Sequence, residues 1–295
     1  MIKKYLIFCF LSSFLFSQDL PNARWKDINY GGNENIYNNM DIYLPNLNKT
    51  KYPLIITIYG SAWKSNKGKS SNYIKKNLIK PLLSSGFAVA SINHRSSSDA
   101  IFPAQIHDVK AAVRFLRGNS SKYNINDNFI GITGSSSGGH LAALAGTSSN
   151  IDDLEGDIGN FLNFDSHVDA VVNWYGPTDF LIMDDCGSKL VHNNPNSPES
   201  LLIGKPIQEY PEEVMNANPI KYINKESAPF LIIHGIMDLT VPHCQSQVLH
   251  DALKSNNIDT SLVLVEDGKH GPNVFTNKYI NMMTNFFINQ LSRKF

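Results

Sequence analysis

Apolar, β-branched runs alternate with helix-period stretches along most of this chain. Short apolar runs at 38–44, 54–59, 88–93, 128–133, 168–175, 229–234 and 261–266 read as strands. Between them, 73–84, 103–117, 137–145, 245–255 and 276–291 carry helical spacing. Short apolar strands that alternate with helices predict an α/β fold, a mostly parallel sheet covered on both faces. The first strands precede the alternation and are expected to run antiparallel.

One stretch breaks the rhythm. Positions 176–227 are rich in Pro, Asn, Ser and Asp and hold no strand pattern. That is too long for an ordinary connection, so it reads as a loop-rich cap or lid inserted over one end of the sheet. No internal repeat or interdomain linker is visible, and 18–295 reads as a single domain.

The N-terminus has a different logic. Lys3 and Lys4 precede an apolar run from Tyr5 to Phe16, broken only by Ser12 and Ser13, and Ser17 offers a small residue before Gln18. This predicts a signal peptide over residues 1–17 and a secreted or periplasmic protein. After it, no apolar run approaches the roughly 18 to 20 residues of a bilayer span.

Composition narrows the partners. Hydrophobic residues make up 42% of the 295 and charged residues 18%, which excludes global disorder. The 26 basic and 26 acidic side chains cancel, and removing residues 1–17 takes two lysines, leaving 24 against 26. A nucleic-acid binder would show a basic excess, so none is expected as a partner. The same cleavage removes Cys9 and leaves Cys186 and Cys244, a pair expected to form a disulfide in an exported chain. Oligomeric state has no signature here.

Candidate chemistry centres on Gly134-Ser135-Ser136-Ser137-Gly138, which follows a strand and opens an alanine-rich helix. This is the G-x-S-x-G pattern of a nucleophile elbow, and only Ser136 has glycine at both −2 and +2. The elbow would raise the Ser136 hydroxyl at the carboxyl end of the sheet, with the Ser137 N–H as one oxyanion donor. His270, in Lys269-His270-Gly271 after the last strand, is the expected base. Asp238, a short turn beyond the strand 229–234, is the expected orienting acid. His140 and His234 read as structural, and Asp108 as an ion-pair partner of Arg95. The chain order Ser136, Asp238, His270 is that of α/β-hydrolases. No metal or cofactor is expected: there is no His-Glu-x-x-His, no zinc-type cysteine spacing and no dinucleotide or P-loop glycine fingerprint.

With these blocks the chain resembles the α/β-hydrolase esterases and lipases, most closely bacterial feruloyl and acetylxylan esterases. The likeness runs from Met40-Asp41-Ile42-Tyr43-Leu44-Pro45 to the last helix. It includes Phe102-Pro103-Ala104-Gln105 with Asp108, Trp174-Tyr175-Gly176-Pro177-Thr178-Asp179, Ser197-Pro198-Glu199-Ser200 and His270-Gly271. It implies about eight strands and a serine carboxylic-ester hydrolase working through an acyl-enzyme, with an ester or esterified polysaccharide as substrate. The family's oxyanion loop, His-Gly-Gly-Gly-Trp, is Tyr59-Gly60-Ser61-Ala62-Trp63 here, so Ser61 and Ala62 would supply the remaining N–H donors. Another departure puts His94-Arg95 where Tyr-Arg is usual. Trp63, Trp174 and Tyr175 are candidates to line the substrate site. Two other readings stay open: a serine exopeptidase of the prolyl-oligopeptidase type, and a catalytically silent hydrolase fold used for binding.

Overall fold

A computed structural model describes residues 20–295; the predicted signal peptide lies outside the described residues. Eight strands form one sheet: β1 (Trp25–Asn29), β2 (Asn39–Tyr43), β3 (Tyr52–Ile58), β4 (Ala88–Ile92), β5 (Ile125–Ser135), β6 (Ala170–Trp174), β7 (Phe230–Gly235) and β8 (Thr260–Val265). Their order is β1-β2-β4-β3-β5-β6-β7-β8. The pairs β1/β2 and β2/β4 are antiparallel, and every pair from β4 to β8 is parallel. That order and direction are those of an α/β-hydrolase.

The sequence pattern missed β1. Its residues are half-exposed or exposed, its register against β2 is broken between Trp25 and Ile28, and Asp27 sits at φ 52°. A short, polar, bulged edge strand has no apolar period to read.

The strands are apolar on both sides because the sheet separates two cores. Leu54, Ile56, Ile130, Ile132, Phe230 and Ile232 point to one face. Ile55, Val89, Val172, Leu231 and Ile233 point to the other. The first face is covered by α3 (Ala104–Gly118), α4 (Ser137–Thr147) and α8 (Cys244–Ser255). The second is covered by α1 (Asn72–Ile74), α2 (Lys80–Ser84) and α9 (Asn277–Lys294). Helices α1 and α2 join through a π turn at Lys75–Ile79, just ahead of Pro81, which has no N–H for the α-helical ladder. Short α5 (Asp152–Glu155) follows α4.

Between β6 and β7 the chain makes only short elements: two 3₁₀ turns at Phe180–Ile182 and Asp184–Cys186, α6 (Pro198–Ile203), α7 (Pro211–Met215) and a 3₁₀ turn at Pro219–Tyr222. Each has a local reason. The Asp179, Ser197 and Asn218 side chains accept from the backbone N–H groups of Leu181, Ser200 and Ile220, and prolines open three of these elements. Their Phe180, Leu202, Ile207 and Val214 side chains are buried in the same core as α4. A polar stretch is thereby anchored by a few apolar residues.

Candidate active site

Because β3 to β8 are parallel, the loops after β3, β5, β6, β7 and β8 all emerge at one edge. They bring Ser61, Ser136, Tyr175, Asp238 and His270 together from five distant points in the sequence. Ser136 takes φ 55° and ψ −126°, a left-handed conformation costly for a residue with a Cβ. Its N–H donates to Trp174 O at 2.9 Å, so the turn is pinned to the neighbouring strand. Close approach of the backbone holds the rest. A Cβ on Gly138 would lie 2.4 Å from Ile58 O. One on Gly60 would lie 2.8 Å from the Ser136 Cβ. Glycine at both positions lets the end of β3 lie directly against the elbow.

His270 Nε2 is 2.9 Å from Ser136 Oγ, and its Nδ1 is 2.7 Å from Asp238 Oδ2. The other Asp238 oxygen, Oδ1, accepts from the N–H groups of Thr240 at 2.9 Å and Val241 at 3.0 Å. A carboxylate so placed needs Nδ1–H on His270, which leaves Nε2 free to accept the Ser136 proton. His234 Nε2 lies 3.4 Å from Asp238 Oδ2 and 2.8 Å from Val241 O, while its Nδ1 is 2.6 Å from Ser246 Oγ. Burial lowers the His234 pKa more than Asp238 raises it, so the ring is neutral, with Nε2–H donating and Nδ1 accepting from Ser246. For Asp238, burial pushes the pKa up, but the hydrogen bonds from His234 and His270 outweigh it and hold the carboxyl well below the usual carboxylate range.

Tyr175 stands against His270. Its ring meets the His270 ring edge-on at 4.7 Å, and it takes φ 41°, a strained value for an aromatic residue. It lines a cavity of about 510 Å³ together with Ser136, His270, Tyr59, Tyr73 and Ile74. Among the described residues, no Asp, Glu, Lys or Arg lines that cavity.

Three sequence expectations change here. Trp63 and Trp174 do not line the cavity: they are 1% and 0% exposed. Trp63 packs on His140 and Phe180, and Trp174 on Phe275, as large rings at strand ends fill the core. The Ser61 N–H, expected to face the oxyanion, donates instead to Ser137 Oγ at 2.9 Å. The N–H groups of Ala62 and Ser137 have no partner among the described residues. Ala62 and Trp63 adopt φ 52° and 55°, so the turn keeps a glycine-like conformation although it carries side chains.

Cys186 and Cys244 are joined as a disulfide between the turn at Asp184–Cys186 and the first residue of α8. Near it the segment after β6 touches the loop that carries Asp238. The Lys189 N–H donates to Leu239 O at 2.9 Å, and His192 Nε2 is 2.9 Å from Thr240 O. His192 Nδ1 is 3.0 Å from Glu199 Oε2, both side chains being buried. Burial alone would lower the His192 pKa, but Glu199 raises it overall. Sequence reading had no role for this pair; Glu199 stood only inside the Ser-Pro-Glu-Ser block. Arg95 does pair with Asp108, through Nη2 to Oδ1 at 2.8 Å, and His140 is buried with Nε2 2.7 Å from Ala217 O.

The BD-FAE family model matches residues 40–253, well over half of the chain. The chain belongs to the BD-FAE family. Among curated relatives, Esterase LipC of Mycobacterium tuberculosis is 30% identical over 69% of this chain and 48% of its own length. Esterase LipQ of the same organism is 32% identical over 79% of this chain and 53% of its own length. This BD-FAE chain thus spans about half the length of the curated relatives it matches. A solved structure described as a truncated carbohydrate esterase from gut microbiota superposes with a TM-score of 0.88 at 44% identity, covering 94% of this chain and 99% of that one. A bifunctional GH43-CE protein of Bacteroides eggerthii gives 0.85 at 43% identity, over 90% of this chain and 35% of that one.

Proposed function

We propose that this protein is an exported carbohydrate esterase, a serine hydrolase that cleaves short-acyl or feruloyl esters of polysaccharides. The observation that carries the reading is the continuous hydrogen-bonded series from Ser136 Oγ through His270 to Asp238, facing an uncharged cavity. In this reading His270 takes the Ser136 proton as Oγ attacks the ester carbonyl. Asp238 holds the Nδ1–H tautomer and stabilises the imidazolium that forms. The tetrahedral oxyanion accepts from the N–H groups of Ala62 and Ser137, at the head of α4. The imidazolium then protonates the departing alcohol, and water hydrolyses the acyl-enzyme with His270 again as base.

The cavity favours an ester over a peptide. An exopeptidase grips a free amine with carboxylates, and among the described residues the wall offers none. The wall instead combines the hydroxyls of Ser61, Ser71 and Thr240 with three tyrosines, groups suited to a neutral sugar or phenolic ester. The likeness to carbohydrate esterases supports the same class. Export is supported by the positive and apolar pattern of residues 1–17 and by the disulfide, since such bonds persist in oxidising compartments. Residues 176–227, expected to form a cap, contribute no residue to the cavity wall; the segment lies against the loop of Asp238 and in this reading braces it.

The test compares kcat/KM on acetylated xylo-oligosaccharide with that on p-nitrophenyl acetate, with Ser136→Ala as blank. Comparable turnover of the sugar ester, despite its poorer leaving group, supports a carbohydrate site. Turnover of the phenyl ester alone retires the polysaccharide substrate, and turnover by Ser136→Ala retires the mechanism.

A further inference from the structure

The oxyanion turn carries an unspent donor that backbone accounting overlooks. Ser137 Oγ accepts the Ser61 N–H at 2.9 Å, which occupies one lone pair on that oxygen. Its own O–H has no acceptor among the described residues, and Ser137 is only 1% exposed. The position makes that donor useful. The N–H groups of Ser137 and of Ala62, one residue beyond the bonded Ser61 N–H, both lack a partner among the described residues, and the glycine contacts press β3 against the elbow at this point.

We propose that the Ser137 hydroxyl is a third donor to the oxyanion, so that Ser137 contributes both its N–H and its Oγ–H to the reaction. The proposal rests on the reading of Ser136 as nucleophile and adds a catalytic residue to it. In the resting enzyme the hydroxyl proton has no protein acceptor among the described residues; when the substrate carbonyl becomes tetrahedral, its oxygen supplies an anionic one. The interaction is thus made mainly where charge develops, the kind that raises kcat without tightening substrate binding. The Ser61 N–H then acts through the hydroxyl: its hydrogen bond to Oγ polarises the O–H and strengthens the bond to the anion. This would explain how the turn works although the Ser61 N–H is not aimed at substrate. The competing role is a plug, in which Oγ merely masks the Ser61 N–H.

Ser137→Ala separates the two, because it keeps the backbone N–H, deletes the hydroxyl and frees the Ser61 N–H. As an oxyanion donor, the hydroxyl's loss lowers kcat on p-nitrophenyl acetate by about 100-fold with KM nearly unchanged. It also weakens a trifluoromethyl ketone, which binds as the tetrahedral adduct, by a similar factor, and Ser137→Thr recovers most of both. A Ser137→Ala enzyme with wild-type or higher kcat shows a plug and overturns the proposal. So does a loss of kcat without a matching loss of ketone affinity, which marks disturbed packing. Ser136→Ala run alongside keeps the two levels apart. If it loses turnover while Ser137→Ala does not, only the hydroxyl's role fails; if it retains turnover, the reading of the whole site fails.

Discussion

Replacing Asp238 by asparagine tests the hydrogen-bond logic of the site more sharply than removing the side chain. Oδ1 accepts from the N–H groups of both Thr240 and Val241, so the asparagine oxygen must stay there; an amide NH2 in that place would face two donors. The NH2 then occupies the position of Oδ2, 2.7 Å from His270 Nδ1. Two donors cannot share that contact, so His270 gives up its Nδ1 proton and carries it on Nε2. A protonated Nε2 cannot accept from Ser136. We expect kcat on p-nitrophenyl acetate to fall by about 10⁴-fold, or about 5.4 kcal/mol of transition-state stabilisation, with little change in fold. Asp238→Ala provides the contrast. It leaves the two N–H groups unpaired and costs stability, about 1–3 kcal/mol for each, yet it does not force the wrong tautomer, so its kcat exceeds that of the asparagine variant. Circular dichroism and thermal melting check the fold, and initial rates give kcat. An asparagine variant within tenfold of wild type would refute the tautomer argument.

Further predictions follow from other parts of the structure. Ala62 at φ 52° pays for a left-handed conformation that glycine adopts freely, so Ala62→Gly should stabilise the fold by up to about 1 kcal/mol, read as a higher Tm; a lower Tm would show that the turn is not strained. Cys186 and Cys244 close a loop of 58 residues, and replacing both by serine should remove about 4 kcal/mol on the chain-entropy model, while an unchanged Tm would place the bond outside the stability of the fold. The raised His192 pKa means that its pairing with Glu199 stabilises the fold fully below the unfolded histidine value of about 6.5 and fades as pH rises through the folded value. Glu199→Gln should therefore cost more Tm at pH 5.5 than at pH 9, and an equal loss at both would deny that His192 is charged.

Much of this was legible in the sequence, for identifiable reasons. The parallel strands showed as continuous apolar runs because both faces of the sheet are buried, as with Leu54–Ile58 shared between two cores. Ser136, Asp238 and His270 could be picked out because each follows a strand pattern, and parallel strands put those ends on one edge. What escaped was geometry without period or motif. Strand β1 is too polar and bulged to announce itself. Trp63 and Trp174 have the composition of a binding site and the environment of a core, a distinction made only by packing. The Ser61 N–H was misassigned because the backbone donates in every sequence; what it donates to depended on Ser137, the residue after Ser136, whose hydroxyl a G-x-S-x-G pattern does not read. The His192–Glu199 pair joins residues whose burial the polar composition of 176–227 concealed.

The central claim is that Ser136 is the nucleophile, and it is open to direct observation. The protein is treated with a fluorophosphonate ester and examined by intact mass and peptide mapping. The account predicts one adduct per chain, on Ser136, formed by the wild type and absent from Ser136→Ala. No adduct, or one carried by Ser135 or Ser137, would contradict it.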